Sequence, residues 1–305
     1  MHGFEKLAAL LGLLLPVACN SELVTLGHAA SESAAGPEAP RFAEPKLVAE
    51  LASDDRETDN PTLTSDMLEI YFSSEREGGA GDVDVWTARR ASVDEPFSTP
   101  EPVTAVNTDD FETSPAISLD GLELWVGAER DGGLGEQDIW VSRRASRADD
   151  WAPLEQQAEL NSSSKDIPRQ PAAGQVMPLG SRRGRSGYYE TFLAERSGAG
   201  QPFGEPRELF ELEAAGQNTV DAYLTDDGLT LYFNRSPGAG ESKGDLFVAT
   251  RATASDTFGA AVPLDTINTA DDERDPWLSA DGQHLYFSSD RDGTLSIYEA
   301  RRLEP

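Results

Sequence analysis

Carboxylates are the side chains of this chain whose types and spacing could do chemistry. They gather at five places: Asp54, Asp55 and Glu57; Asp109, Asp110 and Glu112; Asp166; Asp221; and Asp271, Asp272, Glu273 and Asp275. Each group stands just ahead of a short apolar run opening on proline or alanine, at Pro61, Pro115, Pro168, Ala222 and Pro276. Oxygen-only donors suit Ca2+ or Mg2+. Two such groups held roughly 5–10 Å apart would instead have the separation that glycoside cleavage requires of its acid and its base or nucleophile. The candidate binding residues are therefore Glu57, Glu112, Asp166, Asp221, Glu273 and Asp275, and turn chemistry with plain solubility is the blander reading. The stretch Asp290-Arg291-Asp292-Gly293 lacks the terminal glutamate of a calcium loop. The sequence has no G-x-S-x-G, H-E-x-x-H or zinc spacing, and His2, His28 and His284 form no cluster.

A second set is basic and aromatic. Arg169, Arg182, Arg183, Arg185, Tyr188 and Tyr189 fall together in a stretch short of acids. Arginine and tyrosine are favoured at protein interfaces, so these six are candidate partner contacts, although a decayed repeat would look the same.

The elements that must position these groups are written in a repeat. The apolar runs at 61, 115, 168, 222 and 276 are separated by 54, 53, 54 and 54 residues, and the aromatics Trp86, Trp140, Phe192, Phe247 and Tyr298 keep the same beat. Within the second copy, PAISL is stopped by Asp120-Gly121, LELWVGAER follows, a Gly-rich turn leads to DIWVSRR, and a fourth run lies near PLEQQAEL. Short strands divided by turn dipeptides at this period, without helical periodicity, predict blades of a β-propeller. The pairs Tyr71-Phe72, Trp125-Val126, Tyr232-Phe233 and Tyr286-Phe287 are expected to be core. Arg76, Arg130, Arg182 and Arg291, with Arg235 set two residues early, and Asp84, Asp138 and Asp245, with Ser296 in the last copy, also recur. A group repeated in every blade is expected to brace a hairpin, as an Arg–carboxylate pair or as an Asp accepting turn amides.

The fifth copy ends at Pro305 without its fourth strand. Residues 42–61 match the fourth-strand segments of other copies, with Phe42 19 residues before Pro61 where Phe97 and Phe258 stand 18 before Pro115 and Pro276. The expected fold is therefore an all-β, five-bladed propeller over residues 42–305, its blades starting near 61, 115, 168, 222 and 276, with 42–60 completing the last blade and hiding both sheet edges. The connection from each outer strand to the next inner strand passes toward the central channel, which would bring the acidic groups to one mouth.

The phrase S-x-D-G-x-x-L-Y-F-S-S-x-R, a Gly-rich turn, then D-I-W/Y and a closing arginine resembles the WD-like repeat of TolB-type β-propellers, over residues 42–305 and poorly in the third copy. That resemblance implies an envelope propeller that binds protein or ligand without chemistry of its own. Five-bladed propellers also host glycosidases, which is the alternative. Residues 1–18, MHGFEKLAALLGLLLPVA, carry an apolar core too short to span a bilayer. With Cys19 directly following, they resemble a bacterial lipoprotein signal in which Cys19 becomes lipidated. An ordinary secretory signal with an incidental cysteine is the alternative, since Pro16 stands where leucine is usual. Residues 19–41 read as a flexible tether rich in Ala, Ser, Gly, Glu and Pro.

With 55 acidic against 25 basic residues the net charge is −30, which excludes the basic footprint that nucleic acid requires. One cysteine allows no intrachain disulfide. The sequence thus predicts a lipid-anchored monomer of the cell envelope, touching the membrane only through its N-terminal lipid. It needs no cofactor, an acidic mouth would take Ca2+ or Mg2+, and its partner is an envelope protein or glycan.

Overall fold

The computed structural model describes residues 38–238 and 243–304. The expected signal, Cys19 and most of the expected tether lie outside them. Five four-stranded antiparallel sheets account for all twenty strands. The first four blades are β2 to β5 (58–63, 69–74, 84–89, 101–102), β6 to β9 (111–117, 123–129, 138–143, 155–156), β10 to β13 (166–168, 176–181, 190–195, 207–208) and β14 to β17 (217–224, 230–237, 245–250, 262–263). The fifth is β18, β19 and β20 (273–278, 284–289, 296–301), and its outer strand is β1 (46–47), from the other end of the chain. The one helical element among the described residues is a 3-10 turn at Phe210–Leu212. Among the described residues no helix is long and apolar enough to cross a membrane.

The closing strand is only two residues long and both are exposed. Side chains around it do most of the holding: Phe42, Val48 and Leu51 are buried in the cluster that joins the fifth blade to the first. Main-chain bonds extend the seam, with Leu303 N–H donating to the Arg41 carbonyl at 2.8 Å and Val48 N–H to the Ile297 carbonyl at 2.9 Å. β1 thus pairs the edge of β20 that the fifth blade would otherwise leave open.

Second strands are buried along their whole length in the first and fifth blades and through their centres in the others, as their consecutive apolar residues demand of a sheet covered on both faces. Tyr71, Phe72, Trp125, Val126, Tyr232, Phe233, Tyr286 and Phe287 are all core. In four blades the arginine just beyond the third strand lies over the aromatic that follows it: Arg90 on Phe97, Arg144 on Trp151, Arg196 on Phe203 and Arg251 on Phe258, at 4.3–4.6 Å. Two of them also cross a seam between blades, Arg144 to Glu69 at 2.6 Å and Arg196 to Glu123 at 2.5 Å.

The first strands carry the feature that shapes the channel. In four blades the pairing with the second strand shifts by one residue, between Asp59 and Thr62, Thr113 and Ala116, Val220 and Tyr223, and Arg274 and Trp277. The bulge residues Asn60, Ser114, Asp221 and Asp275 sit in the left-handed region at φ 50–59°, a conformation that Asn and Asp tolerate better than most side chains. The third blade pairs without a break, Asp166 with Ser181 through Pro168 with Leu179. Its missing bulge residue is the physical content of the single 53-residue interval in the repeat.

Candidate functional site at the channel mouth

The acids expected at the mouth separate into two sets. Glu112, Asp166 and Glu273 occupy equivalent positions opening their inner strands, and all three are fully buried away from the axis. Each folds back on the connection that delivers it. Glu112 accepts from Thr108 N–H at 2.8 Å and Thr108 Oγ1 at 2.6 Å, Asp166 from Ser162 N–H and Oγ at 2.6 and 2.9 Å, and Glu273 from Thr269 N–H and Oγ1 at 2.8 Å each. On the other side they meet Arg130, Arg183 and Arg291 at 3.1, 2.6 and 3.0 Å. These are the Arg–carboxylate braces expected of recurrent residues, and they correct the assignment of the three acids to the mouth. The brace arginine of the third blade is Arg183, two residues beyond Ser181 as Arg291 is beyond Ser289, and not Arg182. The first blade has Thr58 in place of the acid, accepting from Arg76 Nη2 at 3.1 Å.

Asp84 and Asp138 take the other expected role, each accepting from two amides of its Gly-rich turn, Ala80 and Gly81 or Leu134 and Gly135. Glu57 is exposed at the rim, 3.9 Å from Arg274.

Asp221 and Asp275 do converge on the axis, and Arg169 joins them. Lacking a bulge, the third blade presents Arg169 where its neighbours carry apolar or small residues. Its guanidinium crosses the ring: Nη1 donates to Asn60 Oδ1 at 2.7 Å, and Nη2 to Asp275 Oδ1 at 3.0 Å and to Asp221 Oδ1. The next residue goes deeper. Gln170 Nε2 donates to the carbonyls of Leu63 (2.9 Å) and Ile117 (2.5 Å), while its Oε1 accepts from Trp277 Nε1 at 2.8 Å. One blade thus sends two consecutive polar side chains into a space the other blades line with apolar groups, and together they plug the channel. Arg169, expected on a partner surface, is instead a buried hub of the ring, because a full charge at the axis is held only where several acceptors reach it at once.

Above the plug lies a cavity of about 230 Å3. Asp59, Asp221, Asp272 and Asp275 supply its acids, Arg169 and Arg274 its bases, and Tyr189, Asn234 and Ser236 part of its wall. Arg274 Nη2 donates to Asp59 Oδ2 at 2.8 Å and its Nε lies 3.6 Å from Asp275. Burial pushes the Asp59 and Asp221 carboxyls up to about 6, against the pull of Arg274 on the first and of Arg169 on the second. Burial also raises Asp272, which accepts Gly244 N–H at 2.7 Å. Burial works to lower both arginines, and the surrounding carboxylates outweigh it, so both are held above their ordinary values. Four carboxyls facing two guanidiniums leave the mouth acidic once all are ionised. A larger cavity, about 450 Å3, lies off the axis at the chain-closure seam, between residues 38–41 and Tyr232, Val248 and Val262.

Of the other expected partner contacts, Arg182 and Arg185 are exposed and Tyr188 and Tyr189 half-buried. Arg182 lies over the Tyr189 ring at 4.2 Å, and Tyr189 reaches the mouth wall. Asp59, Arg274 and Gln170 escaped the sequence reading. The one signal for Gln170 was its place in the repeat, where the other copies have Leu63, Ile117, Leu224 and Leu278.

No family model matches the chain, and no curated relative does. Solved structures match it at low identity. TolB from Acinetobacter baumannii aligns at 18% identity and TM-score 0.54 over 83% of this chain and 56% of its own, so this chain spans little more than half of that protein. An α-L-arabinofuranosidase from Podospora anserina, in complex with cellotriose, aligns at 8% identity and TM-score 0.57 over 87% and 98%. An endo-arabinase from Bacteroides thetaiotaomicron aligns at 16% and 0.52 over 88% and 98%. What the chain shares with both kinds of protein is the propeller fold.

Proposed function

We propose that this protein is a non-catalytic, lipid-anchored envelope propeller that binds a protein or glycan partner across its channel mouth. The observation that carries the reading is the pinning of the axial carboxylates. Asp221 and Asp275 are both held by the Arg169 guanidinium and Asp59 by Arg274. A carboxylate so engaged is already occupied by a guanidinium, whereas a glycosidase needs its pair free to meet the sugar. The net acidity of the mouth favours a partner that presents a cationic group there. Export and anchoring rest on residues 1–19.

The test is site-specific photo-crosslinking in the native envelope, with the crosslinker at Tyr189 and palmitate label on the full chain. A discrete adduct, lost in R274A, is the expected result. Label that persists in C19S would remove the anchor, and crosslinking to no specific species would remove the scaffold.

One observation favours the glycosidase reading as an alternative. Asp59 and Asp221 lie on different blades around one cavity, and both carboxyls are raised to about 6, a range used by general acids. Hydrolysis of an aryl α-L-arabinofuranoside that is lost in both D59N and D221N would establish it in place of the scaffold.

A further inference from the structure

The third blade departs from the repeat at a second place, remote from the axis. The third strand of the first two blades opens on an aspartate, Asp84 or Asp138, whose Oδ2 accepts from two turn amides. In the same register, paired with Ser181, the third blade has Glu190. Its carboxylate lies against the turn at Gly184, yet no turn amide donates to it. Glu190 is 4% exposed, yet neither of its oxygens has a hydrogen-bond partner. Leaving an ionised carboxylate buried and unsatisfied costs several kcal/mol unless something compensates it.

Two more carboxylates face it. Glu208 comes from the outer strand, next to the Arg207 that pairs with Leu193, and Glu213 from the cap of the 3-10 turn. One oxygen from each of Glu190, Glu208 and Glu213 falls within 4.8 Å of the others. The space is kept by Gly184, where a Cβ would stand 1.5 Å from Glu190 Oε2 and 3.2 Å from Glu208 Oε1. We propose that Glu190, Glu208 and Glu213 form a Ca2+ site on the third blade.

Donors bound at about 2.3–2.6 Å from one ion cannot lie more than about 5 Å apart, which this triad satisfies, and Ca2+ takes carboxylate oxygens with water completing the shell. The buried member supplies the anchor and the two more open members leave an entry path. Electrostatics agree: burial and the two neighbouring glutamates all push the Glu208 carboxyl up, to about 7, as expected where a compensating cation is wanted. The site is independent of the channel mouth and shares no residue with it.

Calorimetric titration of the chelator-treated full chain with CaCl2 tests this, beside thermal unfolding with and without the ion. The expected result is one site with Kd on the order of 0.1–1 mM, the range of extracellular calcium modules, and a rise in Tm. E213Q, which changes an exposed residue and leaves the fold intact, should weaken binding at least tenfold, as should E208Q, while D59N at the mouth should leave it unchanged. Neither heat nor a Tm shift at 10 mM CaCl2 would overturn the site in favour of a proton shared between Glu190 and Glu208. Binding that survives E208Q and E213Q but is lost in D59N would overturn it in favour of the mouth.

Discussion

Replacing Arg169 by methionine removes a guanidinium that serves three blades at once, and its cost should depend on pH in a way no packing defect would. The Arg169 side chain is 11% exposed, and the carboxylates it holds are 12% (Asp221) and 3% (Asp275). Asp275 keeps Arg274 at 3.6 Å and Asn60 N–H at 3.2 Å, so Asp221 takes most of the loss. In the wild type its carboxyl titrates near 6 against an ordinary 3.8. A folded-state value above the unfolded one means stability present at low pH and lost as pH rises from about 4 through 6, and flat beyond. Without Arg169 the folded value climbs further, so the variant goes on losing stability above pH 6, by up to about 1.4 kcal/mol per pH unit. At pH 7.5 that amounts to about 2 kcal/mol from Asp221, and Asp275 with the orphaned Asn60 brings the deficit to about 3–5 kcal/mol. At pH 5 Asp221 is largely protonated in both proteins and about 1–3 kcal/mol should remain. Urea unfolding of both proteins at pH 5.0, 6.0 and 7.5 measures this, and R169M/D221N should recover at pH 7.5 the roughly 2 kcal/mol that Asp221 contributes. Equal deficits at pH 5.0 and 7.5 would refute the reasoning.

Other perturbations probe the closure, the braces and the mouth. Phe42→Ala should cost about 3–5 kcal/mol in urea unfolding, since a buried aromatic fastens the N-terminal segment to the last blade, whereas Leu47→Ala in the exposed closing strand should change little. Glu273→Ala strips Arg291 and Thr269 of their buried acceptor and should cost about 3–5 kcal/mol by the same assay, which Thr58, lacking an acid to lose, would not show on conversion to Ala. Arg90→Lys keeps the charge but gives up the face-on contact with Phe97 and the bond from Nε to the Met67 carbonyl, and a loss of about 1–2 kcal/mol is expected. Asp59→Asn should stabilise the protein at pH 7.5 and leave it unchanged near pH 4, because the raised carboxyl it removes costs stability only once ionised; equal effects at the two pH values would count against that.

The ring was legible because it is periodic. Strand alternation, D-G turns and a repeat of 54 residues leave few folds open, and the orphan segment at 42–60 could be placed only as the missing outer strand. Which recurrent acid faces the axis was not legible. Glu273 and Asp275 are two apart, so simple alternation puts them on one face. The bulge between Arg274 and Trp277 breaks that alternation, leaving Glu273 in the seam with Arg291 and Asp275 on the axis with Arg169. The exchange of Arg182 for Arg183 has another cause: the second strand of the third blade has no aromatic to count from, and four residues beyond Leu179, which pairs with Phe192 as Phe72 pairs with Trp86, stands Arg183.

The third copy therefore is not simply worn. Five identical blades would bring five identical groups to the axis and leave their charges facing one another, with no side chain long enough or opposite in sign to fill the gap. Losing one bulge residue gives the ring Arg169 and Gln170 as a plug, and exchanging an aspartate for Glu190 frees a buried carboxylate to face Glu208 and Glu213. The first departure balances carboxylates that the repeat alone would leave facing one another, and the second leaves a charge for another group to balance, which is what the proposed scaffold would need in order to bind.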